Sequence, residues 1–180
     1  IVGLVIISTV PSLRASALVF INKNFFSHKY DYRVEWLKLI DRLSRPYGED
    51  DMQQRAIKAM SAVFNSPGGI LWLRHENQFD AEASYPMGLP SGASEPADSA
   101  FIKTMIEREW IFESGGDYAE DQLIPGWASN IDNLWIIVPL FNEEYLLGFI
   151  GLVSGSDSGD LTWEDLDLLK TVGRQLASYL

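Results

Sequence analysis

The chain has 180 residues, enough for one folded domain with some additional chain, and it begins with Ile1 rather than Met, which suggests a piece of a longer protein. With 47% hydrophobic and 22% charged residues it is neither wholly disordered nor fibrous. Cysteine is absent, which excludes disulfides, thiolate zinc sites, cysteine nucleophiles and a pigment attached through a thioether. Only two histidines are present, so a histidine-rich metal site or a histidine-dependent enzyme is disfavoured.

The net charge of −11 is unevenly distributed along the chain. Residues 1–45 carry seven basic and three acidic side chains, whereas residues 46–180 carry seven basic and twenty-two acidic ones. Nucleic-acid backbones require a dense positive surface, so the acidic body argues against DNA or RNA as a partner. A short basic stretch beside an apolar one is typical of the cytoplasmic side of a membrane.

The first ten residues, Ile1–Val10, are uncharged and rich in β-branched side chains. As a helix they would rise about 15 Å, half of the roughly 30 Å that a bilayer core requires. They suit either a buried strand or the inner end of a transmembrane helix, and we favour the second because Pro11 and the first charge, Arg14, follow directly. The mixed basic and aromatic run Lys23–Tyr30 suits a headgroup boundary, so residues 1–30 are predicted to be a membrane-helix end and a juxtamembrane segment.

Residues 31–48 are predicted to form a connector helix and a linker. Within Asp31–Arg45, four apolar residues recur at the spacing of one helical face: Trp36, Leu39, Ile40 and Leu43. A proline, a glycine and three acidic residues then break the chain. The apolar face would suit pairing with a second copy of the same helix.

A helix and two strands are predicted next. Asp50 or Asp51 can cap the helix, which ends at the run Asn65–Gly69 because proline cannot continue it and the glycine pair permits a tight turn. Apolar and alternating patterns then predict strands over residues 70–74 and 79–85.

Residues 86–98 hold three prolines and two glycines, which predicts a loop. Asp98 or Ser99 can cap a further helix. Its apolar side carries four residues: Phe101, Ile102, Met105 and Ile106. Residues 111–133 are irregular, with one short edge strand expected among them.

The strongest pairing signal is a hairpin of residues 134–141 and 145–153, joined by three polar residues. Both runs are apolar on successive residues, which predicts a sheet covered on both faces. Pro139 cannot donate to a strand ladder and is expected at a bulge or an unpaired position.

A last helix is predicted from Thr162 to Leu180. Thr162 and Asp165 form a capping-box pattern with aspartate in place of the usual glutamate, and Leu161 can pack against Leu166. Because no stop signal precedes Leu180, the helix is expected to continue in the parent protein.

This order of elements resembles a GAF domain. The most similar stretch runs from Ile137–Leu140 through Leu147–Leu152 to Leu161–Leu169, a hairpin that leads into a capped helix. The resemblance implies an α+β fold with a central antiparallel sheet and helices on both faces, preceded by a juxtamembrane helix. It places the GAF domain at residues 49–180.

A second resemblance concerns the segment before that domain. Ser12–Arg14, Val19–Phe26 and above all Lys29–Leu37, read KYDYRVEWL, are similar to the juxtamembrane segment of the PrsK family of membrane histidine kinases, which are associated with PEP-CTERM/exosortase systems of Gram-negative bacteria. The resemblance implies a cytoplasmic sensory module of an inner-membrane protein. The chain stops before a phosphoacceptor helix and an ATP-binding domain, so no kinase chemistry is expected within it.

For the assembled protein, this resemblance implies a relay. The helices of Asp31–Arg45 and Thr162–Leu180 are expected to pair with those of a second copy and to act as input and output rods. The membrane is the other expected partner, through the N-terminal segment.

No residue is assigned a catalytic role, and no cofactor or metal is expected. His75-Glu76 has the letters of a phosphoacceptor box but falls at a strand end rather than on a long dimerising helix. The glycine pairs Gly68-Gly69 and Gly115-Gly116 lack the Lys-Ser/Thr of a P-loop and are interpreted as turns.

A small-molecule pocket remains the functional candidate, since GAF domains place ligands between the sheet and the helix and loops over its face. On that resemblance seven residues are the candidate ligand contacts: Trp72, Arg74, Phe101, Met105, Trp127, Trp135 and Ile137. Large aromatic side chains also fill ordinary cores, so core packing and ligand binding both stay open. The alternative function is therefore a metabolite or nucleotide receptor domain of another signalling protein.

Overall fold

The computed structural model describes residues 51–114, 123–155 and 161–180 and, before them, Val34, Lys38, Leu39, Asp41 and Leu43. The predicted membrane-helix end and juxtamembrane segment, residues 1–30, lie outside the described residues, as does most of the connector helix. In the described part of the chain, no helix combines the length and the apolar character needed to cross a bilayer.

The described residues from 51 onwards contain three α-helices: α1 (Met52–Val63), α2 (Ala100–Arg108) and α3 (Trp163–Ala177). Each begins where its capping residue predicts. The Asp51 side chain accepts from the backbone N–H of Gln54, and Ser99 caps α2 in the same way. At α3 the predicted capping box of Thr162 and Asp165 is formed in both directions.

Six strands form one antiparallel sheet: β1 (Gly69–His75), β2 (Gln78–Tyr85), β3 (Ser94–Pro96), β4 (Phe112–Glu113), β5 (Leu134–Asn142) and β6 (Tyr145–Val153). Their order across the sheet is β3-β2-β1-β6-β5-β4. A 3₁₀ helix, Gly126–Asn130, lies between β4 and β5 along the chain. The short strand β4 is the expected edge strand of the irregular region.

The predicted hairpin is confirmed as β5 and β6, which pair antiparallel along their lengths. Its turn is tighter than expected, since only Glu143 and Glu144 lie outside the strands and Glu143 takes a φ of 56°. Pro139 lies opposite Phe149, and the register shift falls one residue later, between Leu140 and Phe141. The expected bulge is therefore beside the proline rather than at it.

Helices cover both faces of the sheet, as the fold class requires. Helix α3 packs on β5 so closely that a β-carbon at Gly173 would lie 2.6 Å from the carbonyl oxygen of Pro139. Helix α2 instead contributes Phe101, Ile102 and Met105 to a hydrophobic core on the other side of the strands. The sheet is therefore buried between helices, which explains why β5 and β6 are apolar on successive residues.

Two features differ from the sequence-based expectation. The stretch predicted as a loop over 86–98 contains β3, which pairs with the first three residues of β2. In the connector segment, Leu39 and Leu43 are fully buried within this single chain, and Arg55 of α1 donates from Nη1 to the carbonyl oxygen of Leu43 at 3.1 Å. Those two leucines are therefore buried inside this chain, contrary to the expectation that they form a face for pairing.

Candidate functional site

Five aromatic rings meet on the α2 side of the sheet, and we call them the aromatic cluster: Trp72, Phe79, Phe101, Trp127 and Phe149. The Trp72 and Trp127 ring centroids lie 4.6 Å apart, and Phe149 stacks against both at 5.1 and 5.9 Å. Phe101 meets Trp127 and Phe149 edge to face. Such offset and edge-to-face contacts stabilise a core beyond the area that they bury.

Four separate elements bring these rings together. Trp72 and Phe149 are register partners on β1 and β6, so their side chains point to the same face. Phe101 comes from α2 and Trp127 from the 3₁₀ helix. Gly151 makes room for the largest ring, since a β-carbon there would lie 3.1 Å from an atom of the Trp72 indole.

The two indole N–H groups are both directed at the segment that contains β3. Trp72 donates from Nε1 to the carbonyl oxygen of Ala93 at 2.7 Å, and Trp127 donates from Nε1 to Oε2 of Glu95 at 2.9 Å. Glu95 is only 7% exposed, so a carboxylate lies at the boundary of an otherwise aromatic compartment. No local pattern in the sequence singled this residue out.

The outer side of β3 is held by a second, polar set of contacts. Asp80 of β2 accepts from the Ser94 hydroxyl at 2.6 Å and from the Gln78 amide at 2.9 Å. These hydrogen bonds lower the pKa of the Asp80 carboxyl; partial desolvation opposes the shift, and the nearby His75 adds a smaller lowering. Thus the Ala93–Glu95 segment accepts hydrogen bonds from two indoles on its inner side, and Ser94 donates to the Asp80 carboxylate on its outer side.

Of the seven predicted ligand contacts, the structure brings five into one hydrophobic core: Trp72, Phe101, Met105, Trp127 and Ile137. Arg74 lies at the border of that core, with its guanidinium over the rings of Phe79 and Tyr145 at 5.8 and 5.2 Å. Trp135 is half-buried and lies outside the core, because β5 is irregular between Leu134 and Ile136. The other five belong to a single core of buried side chains.

A separate depression of about 470 Å³ lies at the β1–β2 turn, lined by His75, Glu76, Asn77, Gln78 and Pro96. His75 ends β1 and lies 2.7 Å from the carboxylate of Glu82. Among the described residues, no group of three or more His, Asp or Glu side chains could hold a metal ion. This surface is open and polar, unlike the aromatic cluster.

Comparison with known proteins agrees with this architecture. The family model described as GAF domain matches residues 47–180. No curated protein matches the chain.

Solved structures of the same fold include the GAF domain of the phosphoenolpyruvate-protein phosphotransferase from Acinetobacter, with 12% identity, a TM-score of 0.60 and coverage of 83% of this chain and 93% of that one. The corresponding domain from Coxiella burnetii has 9% identity, a TM-score of 0.62 and coverage of 83% and 92%. The fRMsr protein of Staphylococcus aureus, solved in complex with its substrate, has 13% identity, a TM-score of 0.57 and coverage of 83% and 95%. At these identities the likeness shows the fold alone.

Proposed function

The chain belongs to the GAF domain family, and from that premise we propose that it is the regulatory module of a membrane histidine kinase of the PrsK type, which relays a signal to a downstream kinase core. GAF domains are generally sensory or regulatory ligand-binding domains of signalling proteins. Fold alone does not give function, so the kinase context must come from elsewhere in the chain.

The observation that carries the proposal is the segment Lys29–Leu37, whose sequence KYDYRVEWL precedes the GAF domain by about ten residues. It follows an apolar stretch and a basic one, the order expected where a chain leaves the membrane on the cytoplasmic side. In the proposal the domain therefore lies in the cytoplasm, attached to the inner membrane of a Gram-negative bacterium. A net charge of −15 over residues 46–180 suits that site better than contact with nucleic acid.

Phosphate transfer by the intact parent tests this proposal. The full-length protein, in inverted membrane vesicles, should incorporate phosphate from ATP onto a histidine. In a parent from which residues 49–180 are deleted, the phosphorylation rate should no longer respond to conditions that change the phosphorylation rate of the intact protein. A parent that incorporates no phosphate would refute the kinase context, while the GAF assignment would stand.

We propose that a second copy of the chain is the partner, through the helices of Asp31–Arg45 and Thr162–Leu180. Trp163, at the start of α3, is 71% exposed, and Tyr179, just after its end, is 37% exposed. Sedimentation of the full chain in mild detergent should give a dimer, and Trp163→Asp should shift it toward monomer. Leu89→Asp is the matched control, because Leu89 is 50% exposed but lies in the loop between β2 and β3. A wild-type chain that stays monomeric at high concentration would rule out this pairing.

A small-molecule receptor is the second candidate, and one specific observation favours it. Glu95 places a carboxylate that is 7% exposed against the aromatic cluster, where its described side-chain partner is the Trp127 indole. A buried acceptor of this kind needs a donor, and the Trp127 indole N–H supplies it in this structure. A receptor gains from such a group, because one well-placed acceptor fixes the orientation of a bound ring.

A further inference from the structure

We propose that the indole of Trp127 occupies, in this structure, the position of a ligand, and that the ligand is a planar aromatic heterocycle with a ring N–H that replaces the indole and donates to Glu95. This inference rests on the receptor candidate above and defines its ligand class. It concerns four contacts of Trp127: the stacked rings of Trp72 and Phe149, the perpendicular ring of Phe101 and the hydrogen bond from its N–H.

The walls around the Trp127 ring select a flat aromatic group. Trp72, tilted by 31°, and Phe149, nearly parallel at 10°, stack against the Trp127 ring, and because their own centroids are only 5.1 Å apart they cover the same side of it. Phe101 stands nearly perpendicular to the Trp127 ring, at 87°. Stacking surfaces of this kind accept any planar π-system of the right size, because every such ring presents a π-face.

The fourth contact supplies chemical selectivity. Trp127 donates from Nε1 to Oε2 of Glu95 at 2.9 Å, and this hydrogen bond is buried. A ring of the same shape without an N–H would leave the carboxylate without that donor, which is costly in a buried site. The compartment therefore distinguishes an N–H heterocycle from its apolar isostere.

Trp127 is attached to the fold more loosely than the other large ring of the cluster. Trp72 lies on a strand that is paired on both sides and is 0% exposed. Trp127 lies on a five-residue 3₁₀ helix that belongs to no strand ladder and is held by short-range bonds such as Ala128 N–H to Pro125 O at 2.9 Å. Gly126, just before it, has open space where a β-carbon would be. Displacement of Trp127 therefore breaks no pairing of the sheet.

Removal of the Trp127 side chain, followed by addition of a free aromatic ring, tests the stacking contacts and the hydrogen bond to Glu95 together. Trp127→Ala in the full chain should lower Tm, and added indole should bind and raise Tm again, because an apolar cavity accepts a ligand of its own shape. Benzothiophene has nearly the shape of indole but no N–H, and it should bind about tenfold or more weakly. Leu89→Ala is the control: it removes an exposed apolar side chain of the loop after β2, so indole should not change its Tm.

A second variant identifies the acceptor. In the Trp127→Ala background, Glu95→Leu should remove the preference for indole over benzothiophene, whereas Glu95→Gln, which keeps a carbonyl oxygen, should retain part of it. Equal binding of the two rings to Trp127→Ala, or an unchanged preference in Glu95→Leu, would overturn the role of Glu95.

If Trp127→Ala fails to fold, displacement of the Trp127 ring can be measured by NMR in the wild-type chain. Indole or benzimidazole at millimolar concentration should move the NMR signal of the Trp127 Nε1–H to that of a solvent-exposed indole, and benzothiophene should leave it unmoved. The apparent affinity will be weakened by competition from the resident side chain. A signal that no N–H heterocycle moves would show that Trp127 is a fixed core residue. That result leaves the kinase proposal intact, since phosphate transfer by the parent is measured separately.

Discussion

Nη2 of Arg174, on α3, lies 2.8 Å from Oε1 and 2.7 Å from Oε2 of Glu109, the residue at which α2 ends. Glu109 takes a left-handed conformation there, with φ and ψ both 45°. Helix α2 contributes Phe101 and Met105 to the core beside the aromatic cluster, whereas α3 packs on the other face of the sheet against β5. The ion pair therefore connects the helix that covers the aromatic cluster with the helix that packs on the opposite face of the sheet.

The Arg174–Glu109 ion pair should contribute little to stability. Both side chains are about half exposed, at 54% and 46%, so we expect a double-mutant cycle of Arg174→Met and Glu109→Gln to give a coupling free energy of about 0.2–1 kcal/mol. Urea denaturation of the four proteins measures it. The coupling should fall in about 1 M salt, where exposed charges are screened. A salt-independent coupling above about 2 kcal/mol would contradict a surface pair.

Gly173 should be needed for the contact between α3 and β5. A β-carbon there would lie 2.6 Å from the carbonyl oxygen of Pro139 and 3.3 Å from Cγ1 of Val138. Gly173→Ala gains about 1 kcal/mol of helix propensity but forces the helix from the sheet, so we expect a net loss of about 1 kcal/mol or more in the free energy of unfolding.

The matched control for that substitution is Gly88→Ala. A β-carbon at Gly88 would have nothing within 4 Å, and the residue lies in the exposed loop after β2, so its substitution should change stability by less than about 0.5 kcal/mol. If Gly173→Ala were as stable as Gly88→Ala, the close approach of α3 to β5 would be wrong.

The features that follow from neighbouring residues were predictable from sequence. Thr162 and Asp165 are three residues apart and cap α3 as expected, and the two apolar runs joined by a short polar turn became the β5–β6 hairpin. Each signal is local, because a cap or a tight turn is decided within a few residues. The same two apolar runs also predicted that both faces of the sheet are buried.

The features that depend on distant partners were not predictable. Strand β3 is three residues long within a proline- and glycine-rich stretch, and it is a strand only because Gln78–Asp80 lies alongside. Glu95 is a candidate site residue only because Trp127, thirty-two positions later, donates to it. Trp135 was expected beside Ile137 in the pocket, but the irregularity after Leu134 changes the alternation, and nothing in the local pattern predicts where such a shift falls.

Ser61 should be a position where a smaller, apolar side chain stabilises the fold. This serine of α1 is 4% exposed, and its hydroxyl has no hydrogen-bond partner among the described residues. Ser61→Ala removes a buried polar group that folding strips of water, so the free energy of unfolding should rise by about 1 kcal/mol in a urea titration.

Ser66 is the matched control for Ser61, since its hydroxyl is engaged. It lies 2.7 Å from the carbonyl oxygen of Gly68 and 2.8 Å from that of Val153. Ser66→Ala should therefore lower stability by about 1–3 kcal/mol. A loss of stability in Ser61→Ala similar to that in Ser66→Ala would mean that the Ser61 hydroxyl does have a partner.

The contact of β3 with β2 should depend on pH through Asp80. The pKa of this carboxyl is lowered mainly by the Ser94 hydroxyl and then by the Gln78 amide, so the folded state favours the ionised form. A group whose pKa is lowered on folding contributes stability that is fully present above its unfolded pKa and is lost as the pH falls through its folded pKa. The loss should therefore occur in the acid range, below the ordinary pKa of an aspartate.

An NMR titration of the Asp80 carboxyl in wild type and in Ser94→Ala measures the cause of this shift. Because the Ser94 hydroxyl has the largest effect, the variant should raise the pKa of Asp80 toward its ordinary value, and the acid-side loss of stability should shrink with it. Glu76→Gln, which changes a charge near the same turn without touching the Ser94 bond, should leave most of the shift in place. If Ser94→Ala left the titration of Asp80 unchanged, the Ser94 hydroxyl would not be the main cause of the lowered pKa, and β3 would be held by its backbone pairing with β2 and by the indole hydrogen bonds alone.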